Sequence, residues 1–162
     1  QEAFRLSNGS PLHAKPLALL CLELGNLDDA ISYLRLAIEN EPEEIPLRLM
    51  ESSALLRLRR LPEALKAAER TVELAPYNAD AVYQRGVVKM GSGLLKEAEV
   101  DLRRALELAP NHTAAMSDLA VLLTSTGETG EARRLLERVL ELRPEDAVAA
   151  ENLGRLNRAP SR

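Results

Sequence analysis

The sequence contains no tryptophan, one cysteine and two histidines, and aromatic residues fill only 2% of its 162 positions. A lone Cys21 cannot close an internal disulfide, and His13 and His112 lie far apart with no ligand-like neighbours. A disulfide scaffold is excluded and no metal or other cofactor is expected. No apolar run approaches the roughly 20 residues that cross a bilayer, and no charged segment followed by a short apolar one opens the chain. Membrane insertion is not expected, and a soluble, intracellular protein of unassigned compartment is favoured. The 21 basic residues are outnumbered by 25 acidic ones, for a net charge of −4, and the two signs alternate along the whole length. Nucleic acid is therefore not an expected partner, because no basic patch exists for a phosphate backbone to find. Valine, isoleucine and threonine are sparse, whereas leucine and alanine make up about a third of the chain. That balance favours helices over strands.

What is present is periodicity. Pro42, Pro76, Pro110 and Pro144 are spaced by 34 residues, and the last three close the Leu-rich runs TVELAP, ALELAP and VLELRP. Ala30, Ala64, Ala98 and Ala132 keep the same spacing, each preceded by an acid: Asp29, Glu63, Glu97 and Glu131. Small residues form a third column, Ala18, Ser52, Gly86, Ala120 and Gly154, and Gly25, Arg59, Gly93 and Gly127 a fourth. Only Arg59 departs from its column. A fixed period of this length marks a repeat architecture, in which each unit is one supersecondary element stacked on its neighbours.

These columns resemble the tetratricopeptide repeat family, and the resemblance spans nearly the whole chain. It implies an all-α, right-handed α-solenoid of stacked antiparallel helix pairs, helix A then helix B, with small residues at repeat positions 8 and 20, a turn glycine near 15 and a proline at 32. Counting Pro11 as position 1 gives repeats over 11–44, 45–78, 79–112 and 113–146, with a C-terminal capping helix and tail over 147–162. Residues 1–10 fit the end of a preceding repeat, with Ala3, Phe4 and Leu6 at positions 27, 28 and 30, which predicts a start in mid-repeat. The family's aromatic at position 4 is replaced by Ala14, Arg48, Val82 and Met116, and its tyrosine at 11 by Cys21, Leu55, Lys89 and Leu123.

The physical chemistry of the columns leads the same way. In AEVDLRRALEL the apolar residues Ala98, Leu102, Ala105 and Leu106 form one stripe at helical spacing, which faces helix A. Alanine or glycine at the crossing lets the two backbones approach, and Leu34, Leu102 and Leu136 fill the remaining space. The acid before each alanine meets the positive end of the helix dipole, and the proline cannot continue helix B. Helices are predicted over 12–24, 28–40, 46–58, 62–74, 80–91, 96–108, 114–126, 130–142 and 147–157.

No catalytic set emerges. Cys21 shares its column with Leu55 and Leu123 and reads as a buried core thiol, while His13 and His112 fall at repeat edges and read as surface or turn residues. Gly91, Ser92 and Gly93 precede a helix but lack the lysine and hydroxyl residue of a phosphate loop, so they read as the turn between helices A and B. The chain is expected not to be an enzyme.

The resemblance also implies a concave groove lined by helix A positions 2, 5, 6, 9, 12 and 13. Its candidate residues here are Leu12, Lys15, Leu19, Leu49, Met50, Ser53, Tyr83, Gln84, Val87, Ser117 and Asp118, mostly apolar in the first two repeats and more polar in the next two. The family's carboxylate clamp is not reproduced: Lys15 matches, but Leu19, Met50, Asp80 and Gln84 do not. Nor is its asparagine ladder, of which only Asn152 is present. An acidic peptide tail is thus not the expected ligand. The expected function is a non-catalytic scaffold that binds a peptide or amphipathic helix of another protein, with Leu19, Leu49, Met50, Tyr83 and Val87 as the principal contacts. The alternatives are self-association through repeat ends, or a recognition arm of a longer enzyme.

One internal pair stands out. Position 7 faces position 23 across the helix pair, and in the third repeat these are Arg85 and Asp101, where the first and fourth repeats have Leu17 with Tyr33 and Leu119 with Leu135. A salt bridge is predicted there. Glu51 faces Ala67 and is left to seek Arg85 of the next repeat.

Overall fold

The computed structural model describes residues 13–158, which form helices and turns with no strand among them. The elements are α1 (Ala14–Glu23), α2 (Leu27–Asn40), α3 (Ile45–Arg57), α4 (Leu61–Leu74), α5 (Ala79–Gly91), α6 (Leu95–Leu108), α7 (Thr113–Thr126), α8 (Thr129–Leu142) and α9 (Ala147–Arg158). Each predicted helix is present. Most begin one residue earlier than the periodicity placed them.

Contacts divide the chain into two units, residues 1–76 and 77–162. In the first unit α1 packs on α2, α2 on α3, and α3 on α4. In the second, α5 packs on α6, α6 on α7, α7 on α8, and α9 on both α8 and α7. Each unit thus stacks antiparallel pairs in chain order.

The 34-residue columns map onto recurring local structure. Gly25, Arg59, Gly93 and Gly127 all take positive φ, at 75°, 60°, 79° and 93°. In each case the next residue donates its N–H to the carbonyl five residues back: Asn26 to Cys21 at 2.8 Å, and Arg60 to Leu55, Leu94 to Lys89 and Glu128 to Leu123 at 2.9 Å. This is the six-to-one bond of a Schellman motif, which closes helix A and turns the chain directly into helix B. Ser92 and Gly93 accordingly form the turn expected between helices A and B, whereas Gly91, expected in the same turn, is still the last residue of α5.

Helix B ends differently. The residues before the four column prolines, Glu41, Ala75, Ala109 and Arg143, have φ between −123° and −140° with ψ from 67° to 88°. A following proline disfavours the helical region for its predecessor, so the helix stops one residue short. Position 34 then opens the next helix A. The side chains of Asn78, His112 and Asp146 accept the N–H of Ala81, Ala115 and Ala149 at 2.9, 3.1 and 3.0 Å, satisfying one of the free donors at each helix start.

At the crossings, Ala30, Ala64, Ala98 and Ala132 are completely buried, and Ala18, Ser52, Gly86 and Ala120 are buried opposite them. A Cβ at Gly86 would sit 3.3 Å from Asp101 Cβ and from Leu102 Cγ and Cδ2, so the α5–α6 approach leaves no room to spare. The buried hydroxyls are satisfied within their own helices, Ser52 to the Leu49 carbonyl at 3.0 Å and Thr71 to that of Ala67 at 2.8 Å.

Cys21 departs from its expected burial. Leu55 is buried on α3, which packs on α2, and Leu123 on α7, which packs on α6. Cys21 lies on the first described helix, has no such neighbour among the described residues, and is half-exposed. Even so, partial burial pushes its thiol up from the ordinary range, with the charge of Asp29 adding to the effect. Glu51 is taken by Arg35 of α2, whose Nε donates to Oε1 at 2.8 Å. Arg35 also reaches Glu63 at 3.0 Å, and Arg60 links Glu63 to Asp28, so a charged network crosses the outer side of the first unit.

Candidate functional site

The eleven candidate residues divide between the two units, and one of them, Leu12, lies outside the described residues. In the first unit Leu19 is 39% exposed on α1, and Leu49, Met50 and Ser53 are half-buried on α3. Met50 packs against the core of Ala14, Ala18, Leu34, Ala37 and Leu47, so it contributes to stability as well as to the surface. Lys15 is engaged within the unit, its ammonium 2.6 Å from Glu44 and 3.4 Å from Glu41, which holds its pKa above the ordinary value.

The second unit brings its candidates together. Tyr83 on α5 donates its hydroxyl proton to Asp118 Oδ2 on α7 at 2.9 Å. Helical spacing puts Val87 beside Tyr83 and Val121 beside Asp118, whereas Gln84 and Ser117 are chain neighbours that turn away from them; all but Val121 are half-buried, and Val121 is 45% exposed. Burial raises the Asp118 carboxyl above the usual range, against the opposing effects of the Tyr83 hydrogen bond and the positive side of His112. Burial likewise raises the Tyr83 phenol, helped by the neighbouring carboxylate.

His112 was read as a surface or turn residue. It does sit in the turn before α7, but its side chain is only 13% exposed. Its ring lies 4.6 Å from that of Tyr83 at 46°. Because Nδ1 accepts the Ala115 N–H, the ring proton resides on Nε2, which points at Asp80 Oδ1 at 3.2 Å. The imidazole therefore starts α7 and braces Tyr83 at once. Its place in the column of Asn78 and Asp146, both good N-cap types, was the available signal.

A cavity that the candidate residues did not anticipate adjoins this face. It encloses about 340 Å³ between α7, α8 and α9. Its apolar lining comes from Ala120, Val121, Leu136 and Leu156, and Thr124, Asn152 and Arg155 add polar groups. Among the described residues, no group of three or more histidine, cysteine, aspartate or glutamate side chains could hold a metal ion, and no helix is long and apolar enough to cross a membrane.

Three models of the tetratricopeptide repeat family match the chain, over residues 17–44, 49–113 and 89–156. The chain belongs to this family. No curated protein matches it in sequence. Among solved structures it is similar to TTC0263, a thermophilic tetratricopeptide repeat protein of Thermus thermophilus, with a TM-score of 0.80 and 24% identity over 96% of this chain and 86% of that one. It is also similar to YrrB, described as having an unusual peptide-binding site, with a TM-score of 0.72 and 21% identity over 92% and 77% of the two chains. A third likeness is to the first such domain of Spaghetti (RPAP3) bound to the HSP90 peptide SRMEEVD, with a TM-score of 0.66 and 22% identity over 70% and 90%. At these identities the likeness establishes the fold.

Proposed function

We propose that the chain is a protein-interaction module that holds a peptide or helix of a partner protein against the A-helix faces of its repeats and performs no chemistry of its own. The observation that carries this reading is the surface of the second unit, where the braced Tyr83–Asp118 pair, the exposed Val121 and an apolar cavity adjoin on one side of α7. Two proteins of the same fold, YrrB and the first domain of Spaghetti, are described by their peptide-binding site and bound peptide, which supports the class of ligand. The apolar cavity of the second unit, with Val121 at its mouth, suits an amphipathic segment, since it buries an apolar side chain of the ligand without first reorganising. The test is a pair of single variants, Leu19→Glu and Val121→Glu, at exposed positions where folding should persist by circular dichroism. Peptides selected on the native chain from a random displayed library should lose affinity for at least one of the two. Undiminished affinity in both would place the binding surface elsewhere.

Self-association is a second reading, favoured by Leu20. It is 49% exposed on α1, whereas its column mates Ala54, Val88 and Leu122 are buried. Concentration-dependent sedimentation of the native chain and of Leu20→Glu separates the two readings.

A further inference from the structure

Among the described residues of the second unit, Asp101, Asp118 and Asp146 are buried or half-buried, and the first two are compensated very differently. Asp101 is met by two cations, Arg85 with a bond to each oxygen at 2.8 and 2.6 Å and Lys89 at 2.8 Å. Asp118 accepts the Tyr83 hydroxyl on Oδ2 and is favoured weakly by the nearby imidazole of His112, but among the described residues it has no ion pair with a lysine or arginine. A carboxylate withdrawn from water without a counter-charge is costly, and the cost is recovered when a cation arrives from outside. Tyr83, itself braced by His112, fixes the orientation of that carboxylate before any ligand arrives.

The same face of α7 leads from Asp118 to the cavity. Val121 follows three residues later and lines the cavity, which places the carboxylate and the cavity mouth about 4.5 Å apart along the helix axis. The cavity itself extends sideways toward α9, to Leu156 and Asn152. Its volume of about 340 Å³ accommodates a large apolar side chain, and its lining is mainly carbon. At the far side stands Arg155, whose ion pair among the described residues is with the exposed Glu151 one turn away, at 2.6 Å. Arg155 disfavours a cation on that side and so fixes the direction in which a ligand lies.

We propose that this surface reads a partner segment carrying a lysine or arginine two or three residues from a bulky apolar residue, the cation on Asp118 and the apolar side chain in the cavity between α7, α8 and α9. An extended chain covers about 3.3 Å per residue, so the axial step from Asp118 to the cavity mouth takes one to two residues and the cavity's sideways run toward α9 takes the next. This specificity rests on the interaction-module reading above and goes beyond it by naming the ligand's chemistry and the residues that select it.

The experiment is selection of a phage-displayed library of random linear peptides on three proteins: the native chain, Asp118→Asn and Thr124→Phe. Asparagine keeps an acceptor for Tyr83 while removing the charge, and phenylalanine at the exposed Thr124 fills the cavity mouth without disturbing the core. The native chain should enrich peptides with the stated pairing. Asp118→Asn should lose the basic residue and keep the apolar one, and Thr124→Phe should do the reverse, with the affinity of a native-selected peptide falling at least tenfold for each. Enrichment of apolar peptides with no basic residue, or identical pools from the native chain and Asp118→Asn, would overturn this specificity while leaving an interaction groove in place. Failure of the folded native chain to enrich any sequence would overturn both.

Discussion

Arg85 and Asp101 form a two-bonded pair across the α5–α6 crossing, Nε to Oδ2 at 2.8 Å and Nη2 to Oδ1 at 2.6 Å, with the Asp101 side chain 4% exposed. Lys89, one turn beyond Arg85 on the same face, adds its ammonium to Oδ2 at 2.8 Å. Asp101 therefore balances two cations, and its loss would remove the buried anion on which both converge. Asp101→Asn should destabilise by about 2 to 4 kcal/mol. Replacing Arg85 and Asp101 together by leucine would leave the half-buried Lys89 only its longer pair with the exposed Glu97, at 3.8 Å, so the apolar exchange that restores stability is Arg85→Leu, Lys89→Met and Asp101→Leu in one chain. Urea denaturation of the single and triple variants checks the order; a triple variant no more stable than Asp101→Asn would show that the triad is not governed by desolvation.

Arg59 occupies the left-handed conformation that its column otherwise assigns to glycine, at φ 60°. A side chain costs about 1 to 2 kcal/mol there, partly offset by the lower entropy of an unfolded arginine relative to glycine. Arg59→Gly should therefore stabilise by about 0.5 to 1 kcal/mol, seen as a raised thermal midpoint. A lowered midpoint would mean that the arginine side chain makes contacts worth more than the strain.

That substitution was visible in the sequence because the repeat supplies its own reference: three glycines show what the fourth position wants. The same logic placed the helices and the Arg85–Asp101 pair, since register within one helix pair follows from counting. Lys89 was a charge in a column of Cys21, Leu55 and Leu123, and that anomaly was the sign of a third member of the pair. The cavity left no such sign. It depends on how α9 leans on α7 and α8, which no single column records. Nor did the contact of His112 with Tyr83, because the two belong to different helical segments and meet only once α5 and α7 are side by side.

Ala98 is completely buried where α6 crosses α5, in the pair where even a methyl group at Gly86 would meet Leu102 at 3.3 Å. Ala98→Leu adds three carbons to that crossing and should cost about 1 to 3 kcal/mol. Equilibrium denaturation checks it, and full tolerance would mean that the helices can separate without loss. The exposed Val100 nearby, changed to leucine, is the control and should be near neutral.

The two kinds of carboxylate in this chain should give opposite responses to acid. Glu63 is held at about 2 by hydrogen bonds from Arg60 and Arg35, well below its ordinary 4.5. A depressed pKa means that the ionised group favours the folded state, so its contribution is present at neutral pH and is lost as the pH falls from about 4.5 toward about 2. Asp118 is shifted the other way, chiefly by burial. Its ionised form favours the unfolded chain, so its penalty is present at neutral pH and is relieved as the pH falls through its raised pKa toward the ordinary aspartate value. Asp118→Asn should accordingly raise the thermal midpoint at neutral pH, and the gain should shrink on acidification. Glu63→Gln should lower the midpoint at neutral pH, with its deficit vanishing at the acid end. Melting curves of the native chain and both variants across this range decide the matter: a neutral-pH midpoint for Asp118→Asn below that of the native chain would show that the charge at Asp118 is already compensated within the fold, and would remove the reason for an external cation to bind there.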